Sequence, residues 1–112
     1  MKVHHYKTNG GKDLILDYIY SLSKHEITDG LSVLKRFQDD ELDKLTIKQW
    51  QGKVWEVYFY KHNRIFYVAI DEKDVYMLHA CRKQKNKTEK NDCEIVIKRA
   101  KELGESLSKK FI

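Results

Sequence analysis

Proline is absent from this sequence of 112 residues, and with it a frequent mark of linkers and domain boundaries. Internal repeats and low-complexity stretches are missing too. The expectation is a single domain spanning residues 1–112, long enough to bury a real but modest core. No apolar run approaches the roughly 18 residues that cross a bilayer. The N-terminal MKVHHYKTNGGK lacks the apolar core of a signal peptide. A cytoplasmic protein with no membrane partner is therefore expected. Cysteine is scarce: Cys81 and Cys93 stand in no metal-binding spacing and read as buried thiols, with a disulfide between them as the alternative. No metal or other cofactor is expected.

The charge present is unevenly placed. The formal net charge is +5, yet residues 1–81 hold 12 basic and 12 acidic side chains, whereas residues 82–112 hold 10 basic and 5 acidic ones. Such asymmetry suits a polyanionic partner, nucleic acid before membrane. A solvated lysine-rich helix would account for it equally well.

Hydrophobic periodicity orders the chain. Val3–Tyr6 reads as a short first strand, and Asn9-Gly10-Gly11 as a break. Leu14, Ile15, Tyr18, Ile19 and Leu22 share one helical face, Ser23–Glu26 reads as a turn, and Ile27, Leu31, Leu34, Phe37 and Leu45 mark a second helix. Together they predict an αα-hairpin. Thr46–Lys53 reads as a connector, with Trp50 over the sheet edge. Residues 54–82 contain three runs rich in Val, Ile, Tyr and Phe, cut at Lys61–Asn63 and Asp71–Lys73, which predicts a three-stranded antiparallel meander. Thr88, with Glu89 and Asp92 after it, has the look of a helix start, and Cys93 to Phe111 carries a continuous apolar stripe. The fold class is α+β, with an antiparallel sheet and helices mainly on one face. The other face is then open for function.

On the first meander strand Trp55, Val57 and Phe59 alternate with Glu56, Tyr58 and Tyr60, and the Trp face is the better core. A three-residue loop at Lys61–Asn63 pairs Arg64 with Tyr60 and puts it on the face of Glu56 and Tyr58; a two-residue loop would invert it. The next turn leaves two alternatives, His79 and Cys81 beside Arg64, or Tyr76, Leu78 and Arg82 instead. If Glu56, Tyr58, Arg64, His79 and Lys83 converge, they suit RNA cleavage by transfer to the neighbouring 2′-OH. That reaction needs a base (Glu56 or His79), an acid for the leaving 5′-oxygen (Tyr58 or His79) and fixed positive charge at the phosphorane. Arg64, Arg82, Lys83, Lys85 and Lys87 supply cations for the phosphate, and exposed Tyr and Phe can stack bases. On this reading Arg64→Ala and Lys83→Ala each cut cleavage at least tenfold with the fold intact. The plainer reading makes His79 a packed strand residue and Glu56 and Tyr58 ordinary surface.

The segments KVWEVYFY, NRIFYVAID and VYMLHACRKQKNKT, in that order, resemble the core of the RelE/HigB superfamily of toxins from type II toxin–antitoxin modules, in the style of its phage-derived HigB-like branch. Trp55-Glu56-Val57, Arg64-Ile65-Phe66-Tyr67, Leu78-His79, Lys83 and Lys87-Thr88 carry the likeness, which covers residues 53–88. The chain departs from that pattern at Tyr58 (usually Arg), Cys81 (Phe), Gln84 (Lys) and Glu89 (Pro), with Arg82 and Lys85 as neighbouring sources of charge. The resemblance implies a small RelE-like domain acting as a ribosome-dependent, metal-independent mRNA endoribonuclease that inhibits translation. Its implied partners are the ribosome and mRNA, and a cognate antitoxin with a helix-turn-helix domain, HigA-like, through which the complex reaches operator DNA. Two alternatives stand beside it: a ParE-like gyrase poison without nuclease chemistry, and a degenerate nucleic-acid-binding regulator.

Overall fold

The computed structural model describes residues 1–83 and 89–112. Strand β1 (Lys2–His5) is followed by helices α1 (Leu14–Tyr20) and α2 (Lys24–Gln38) and a short 3-10 turn (Leu42–Lys44). Strands β2 (Thr46–Gln51), β3 (Val54–Phe59), β4 (Asn63–Ala69) and β5 (Asp74–Arg82) come next, and helix α3 (Lys90–Leu107) closes the order. This is the α+β arrangement expected: N-terminal strand, helical hairpin, meander, C-terminal helix.

Helix α1 starts where Asp13 turns its carboxylate onto the N–H groups of Ile15 and Leu16, at 3.0 and 2.9 Å. That satisfies two of the donors every helix start leaves open. The turn between the helices ends earlier than the pattern suggests. Ser23 is already the N-cap of α2, and its hydroxyl donates to Glu26 Oε1 at 2.8 Å. Ile15 and Ile19 from α1 and Val33, Leu34 and Phe37 from α2 pack on Val57, Phe59, Ile65, Tyr67, Val75 and Met77 of the sheet. Burying one such side chain stabilises the fold by about 1.5–3 kcal/mol.

The sheet is larger and more mixed than expected. Five strands run in the order β1-β5-β4-β3-β2, and β1 lies parallel to β5 while the other pairs are antiparallel. The expected connector Thr46–Lys53 is mostly β2, an edge strand. It escaped the pattern because its two apolar residues, Ile47 and Trp50, serve opposite faces. Ile47 joins the core under the helical hairpin, while Trp50 packs its ring edge-on to Phe66, centroids 5.0 Å apart, on the other side.

That other side is not left open. Helix α3 covers much of it, with Val96 and Ala100 joining Val54, Phe66, Val68, Leu78, Cys81 and the C-terminal Phe111 in a second core. Helices therefore flank both faces, which corrects the one-sided arrangement expected. The tail is docked by two close approaches. Lys53 N–H donates to the Phe111 carbonyl at 2.7 Å, and a Cβ at Gly52 would come within 2.6 Å of that same oxygen. At Gly104 a Cβ would meet the Lys109 carbonyl at 2.4 Å, so the chain folds back on α3 only over a glycine.

Candidate functional site

Register decides which side chains meet. The β3–β4 hairpin pairs Tyr58 with Arg64 and Phe59 with Asn63, so its loop is Tyr60–His62. The loop has three residues, as expected, but lies one position earlier in the chain. Arg64 faces Tyr58 rather than Tyr60. The slip in pairing is two residues, which preserves the face, so Arg64 does share a side with Glu56 and Tyr58. The Trp face is core through Val57 and Phe59, whereas Trp55 itself is 38% exposed at its margin.

Strand β5 resolves the second ambiguity by an irregularity. Met77 pairs with Tyr67 and Val68 with Tyr76, yet Phe66 pairs with His79 and Arg64 with Cys81, so one extra residue, Leu78, is inserted. A bulge of this kind shifts the alternation by one. Tyr76 before it and His79 and Cys81 after it thereby come to the same face, while Arg82 opposite Asn63 goes to the hairpin side. His79 and Cys81 thus join Arg64, as in the first alternative, but through this bulge and not through a two-residue turn.

At the centre, Arg64 Nη1 donates to Glu56 Oε1 at 3.1 Å, and both residues are buried. The Tyr58 hydroxyl donates to the same carboxylate oxygen. Burial first, and then that carboxylate, push the Tyr58 phenol up to about 12. Tyr58 thus keeps its proton at neutral pH. The Arg64 guanidinium and the Lys83 ammonium each lie 5.5 Å from the Tyr58 ring centroid. Tyr58 and Lys83 retain partial exposure. A phosphate reaching this face meets a neutral hydroxyl and an ammonium, over a buried carboxylate–guanidinium pair that fixes the hydroxyl.

His79 lies on the same face but belongs to another network. Its Nε2 pairs with Asp92 Oδ1 at 2.8 Å and its Nδ1 with Arg99 Nη1 at 3.3 Å. Because a guanidinium only donates, Nδ1 is the acceptor and Nε2 carries the proton given to Asp92. Burial holds the imidazole below its ordinary pKa, against the pull of Asp92. Arg99 also donates to the Leu78 carbonyl at 2.9 Å, so the trio clamps α3 to the β5 bulge. His79, Cys81 and Asp92 bring ligand atoms within 4.8 Å of one another, the set from which a cation site would be built. Here the imidazole is already spent on Asp92 and a guanidinium, and burial pushes the Cys81 thiol up to about 12, in its protonated form. No disulfide joins Cys81 and Cys93.

Arg82 points elsewhere. Its Nη2 donates to Glu26 Oε2 at 2.6 Å on the helical-hairpin side. Glu26 also accepts from Asn63 Nδ2 at 2.7 Å, and Tyr18 donates to Asn63 Oδ1 at 2.6 Å. Hydrogen bonds from Asn63 and Ser23 hold the Glu26 carboxyl below the usual range. Sequence reasoning passed over this buried network, since Glu26 and Asn63 sit in segments read as turns. Lys85 and Lys87, with Gln84 and Thr88, lie outside the described residues.

A five-stranded mixed sheet between a helical hairpin and a C-terminal helix, with a cationic corner at the end of its central strands, is consistent with a small RelE-like domain. The chain matches the family described as "Phage derived protein Gp49-like (DUF891)" over residues 17–101 and belongs to it. That family is toxin-like, phage-derived and associated with RelE/HigB-like toxins, which fits a toxin of a toxin–antitoxin pair with an antitoxin partner. No curated protein matches the chain. Among the described residues no helix is long and apolar enough to cross a membrane.

Proposed function

We propose that this protein is the toxin of a type II toxin–antitoxin module and cuts mRNA on the ribosome in the cytoplasm, until a cognate helix-turn-helix antitoxin neutralises it. The observation that carries the reading is the meeting of Glu56, Tyr58, Arg64 and Lys83 on one corner of the sheet. Lys83 offsets the charge gathering on the phosphorane, Tyr58 turns its O–H from Glu56 to the leaving 5′-oxygen and protonates it, and the attacking 2′-OH gives its proton to water, which restores the phenol afterwards. Arg64 stands by the ring that would carry the resulting phenolate. Glu56 is too enclosed to reach a 2′-OH and acts as a positioning residue. His79, with both ring nitrogens engaged, holds α3 in place instead of exchanging protons with substrate.

The experiment is induced expression followed by mapping of mRNA 5′ ends. Codon-phased cuts that vanish in Lys83→Ala and fall sharply in Tyr58→Phe are expected. Intact mRNA with DNA damage would replace this reading with the gyrase poison. Intact mRNA and unchecked growth would point to the regulatory module.

A further inference from the structure

Beside the catalytic corner, the hairpin tip has an aromatic side chain that the core does not use. Phe59, Phe66 and Tyr67 are buried and Tyr58 is bonded to Glu56, but Tyr60 is 43% exposed. Its ring has the Lys61 ammonium 5.6 Å from its centroid, and the exposed His25 ring 6.3 Å away at a 43° tilt, open rather than stacked.

The backbone beneath that ring is held with unusual firmness for a loop. Lys61 and His62 both adopt left-handed φ values, 57° and 68°, although neither is glycine. Two such residues in a row are strained and persist only where surrounding contacts impose them. Those contacts are present. Asp29 accepts from Tyr60 N–H at 2.6 Å, Asn63 Nδ2 donates to the Tyr60 carbonyl, and Lys83 N–H donates to the His62 carbonyl at 2.6 Å. Asn63 is itself gripped by Glu26 and Tyr18. The last of the backbone contacts ties the tip directly to the residue whose ammonium lies over Tyr58. An exposed ring with the Lys61 ammonium beside it, on a loop whose backbone is bonded to the Lys83 amide, offers what a single-stranded nucleic acid needs: a stacking face with positive charge alongside for the backbone. The nearby acids are committed, Asp29 to the loop backbone and Glu26 to Asn63 and Arg82.

We propose that the β3–β4 tip is a nucleobase subsite, in which Tyr60 stacks one base of the single-stranded RNA whose backbone runs past Lys83. The inference rests on the RNA reading above and adds the position that sets the register of the strand.

The test uses the purified full chain and a short single-stranded RNA at low salt, intact or with one abasic position walked along it, with affinity read by fluorescence anisotropy. Tyr60→Ala and Tyr60→Leu bind the intact RNA about tenfold more weakly, whereas Tyr60→Trp binds as well as wild type. One abasic position costs wild type a similar factor and costs Tyr60→Ala nothing further. Lys83→Ala marks the phosphate contact, lowering affinity and reducing the salt slope by about one. If Tyr60→Ala binds like wild type while Lys83→Ala is weakened, the subsite is overturned and the RNA reading stands. If Tyr60→Ala loses equally on intact and all abasic strands, the subsite is overturned as well. If wild type binds no RNA, the subsite is overturned, and cleavage on the ribosome decides the RNA reading. Melting curves of Tyr60→Ala and Tyr60→Leu close to wild type show that the fold is unchanged.

Discussion

Arg64 places a permanent charge in the protein interior, and Glu56 is the acid that balances it at 3.1 Å. Removing one member of such a pair strands the other, at a cost of about 3–5 kcal/mol. Arg64→Ala and Glu56→Ala are therefore expected to lower the unfolding free energy by that amount in denaturant titrations. The double variant should lose less than the sum. This revises the expectation that Arg64→Ala spares the fold: lost toxicity in that variant reports instability as much as chemistry. Lys83, partly exposed, is the informative position. A second residue-level effect concerns alkaline pH. Burial raises the Tyr67 phenol from its ordinary 10 to about 12. A group whose pKa is raised on folding stabilises below its unfolded value and loses that contribution as pH climbs. Stability should thus fall between about pH 10 and 12, and Tyr67→Phe should flatten that part of a pH–stability curve.

At the scale of elements, Gly104 is the sharpest constraint. Alanine there would favour the helix by intrinsic propensity, yet its Cβ would lie 2.4 Å from the Lys109 carbonyl oxygen. Gly104→Ala is expected to destabilise by about 1–3 kcal/mol and to loosen Phe111 from the second core, measurable as faster hydrogen exchange of the Lys53 amide. Long periodic elements were legible beforehand: α1, α3 and the three meander strands follow from their apolar spacing, and so does α2 as far as Gln38, whereas Leu45, expected on the same helix, lies past a 3-10 turn. What the sequence hid has physical causes. Strand β2 carries one apolar residue per face, so no alternation shows. The β5 bulge inserts Leu78 without any glycine or break to announce it, and it is this insertion that puts His79 and Cys81 on the face of Arg64. The parallel pairing of β1 with β5 is a long-range choice that four residues cannot encode locally. The core of the candidate site was legible for the reason that β-strand faces alternate: Glu56, Tyr58 and Arg64 needed only the parity of one loop.

Across the whole molecule, the basic excess of residues 82–112 is less available than its count implies. Arg82 is paired with Glu26, Arg99 is turned inward to His79 and Leu78, and Lys109 donates to the Ile70 carbonyl. Lys83 is what β5 delivers to the corner where Tyr58 holds its proton. On the proposed reading, net charge serves encounter with a polyanion, while the register of the strands brings Glu56, Tyr58 and Arg64 to one face. The most direct measurement is single-turnover cleavage of mRNA on purified ribosomes with a defined codon in the A site, comparing wild type with Lys83→Ala and Tyr58→Phe. Cleavage within that codon by wild type, falling at least tenfold in each variant while Lys83→Ala melts like wild type, is the predicted result. Uncut mRNA with the wild-type protein, or equal cleavage by all three, would contradict it.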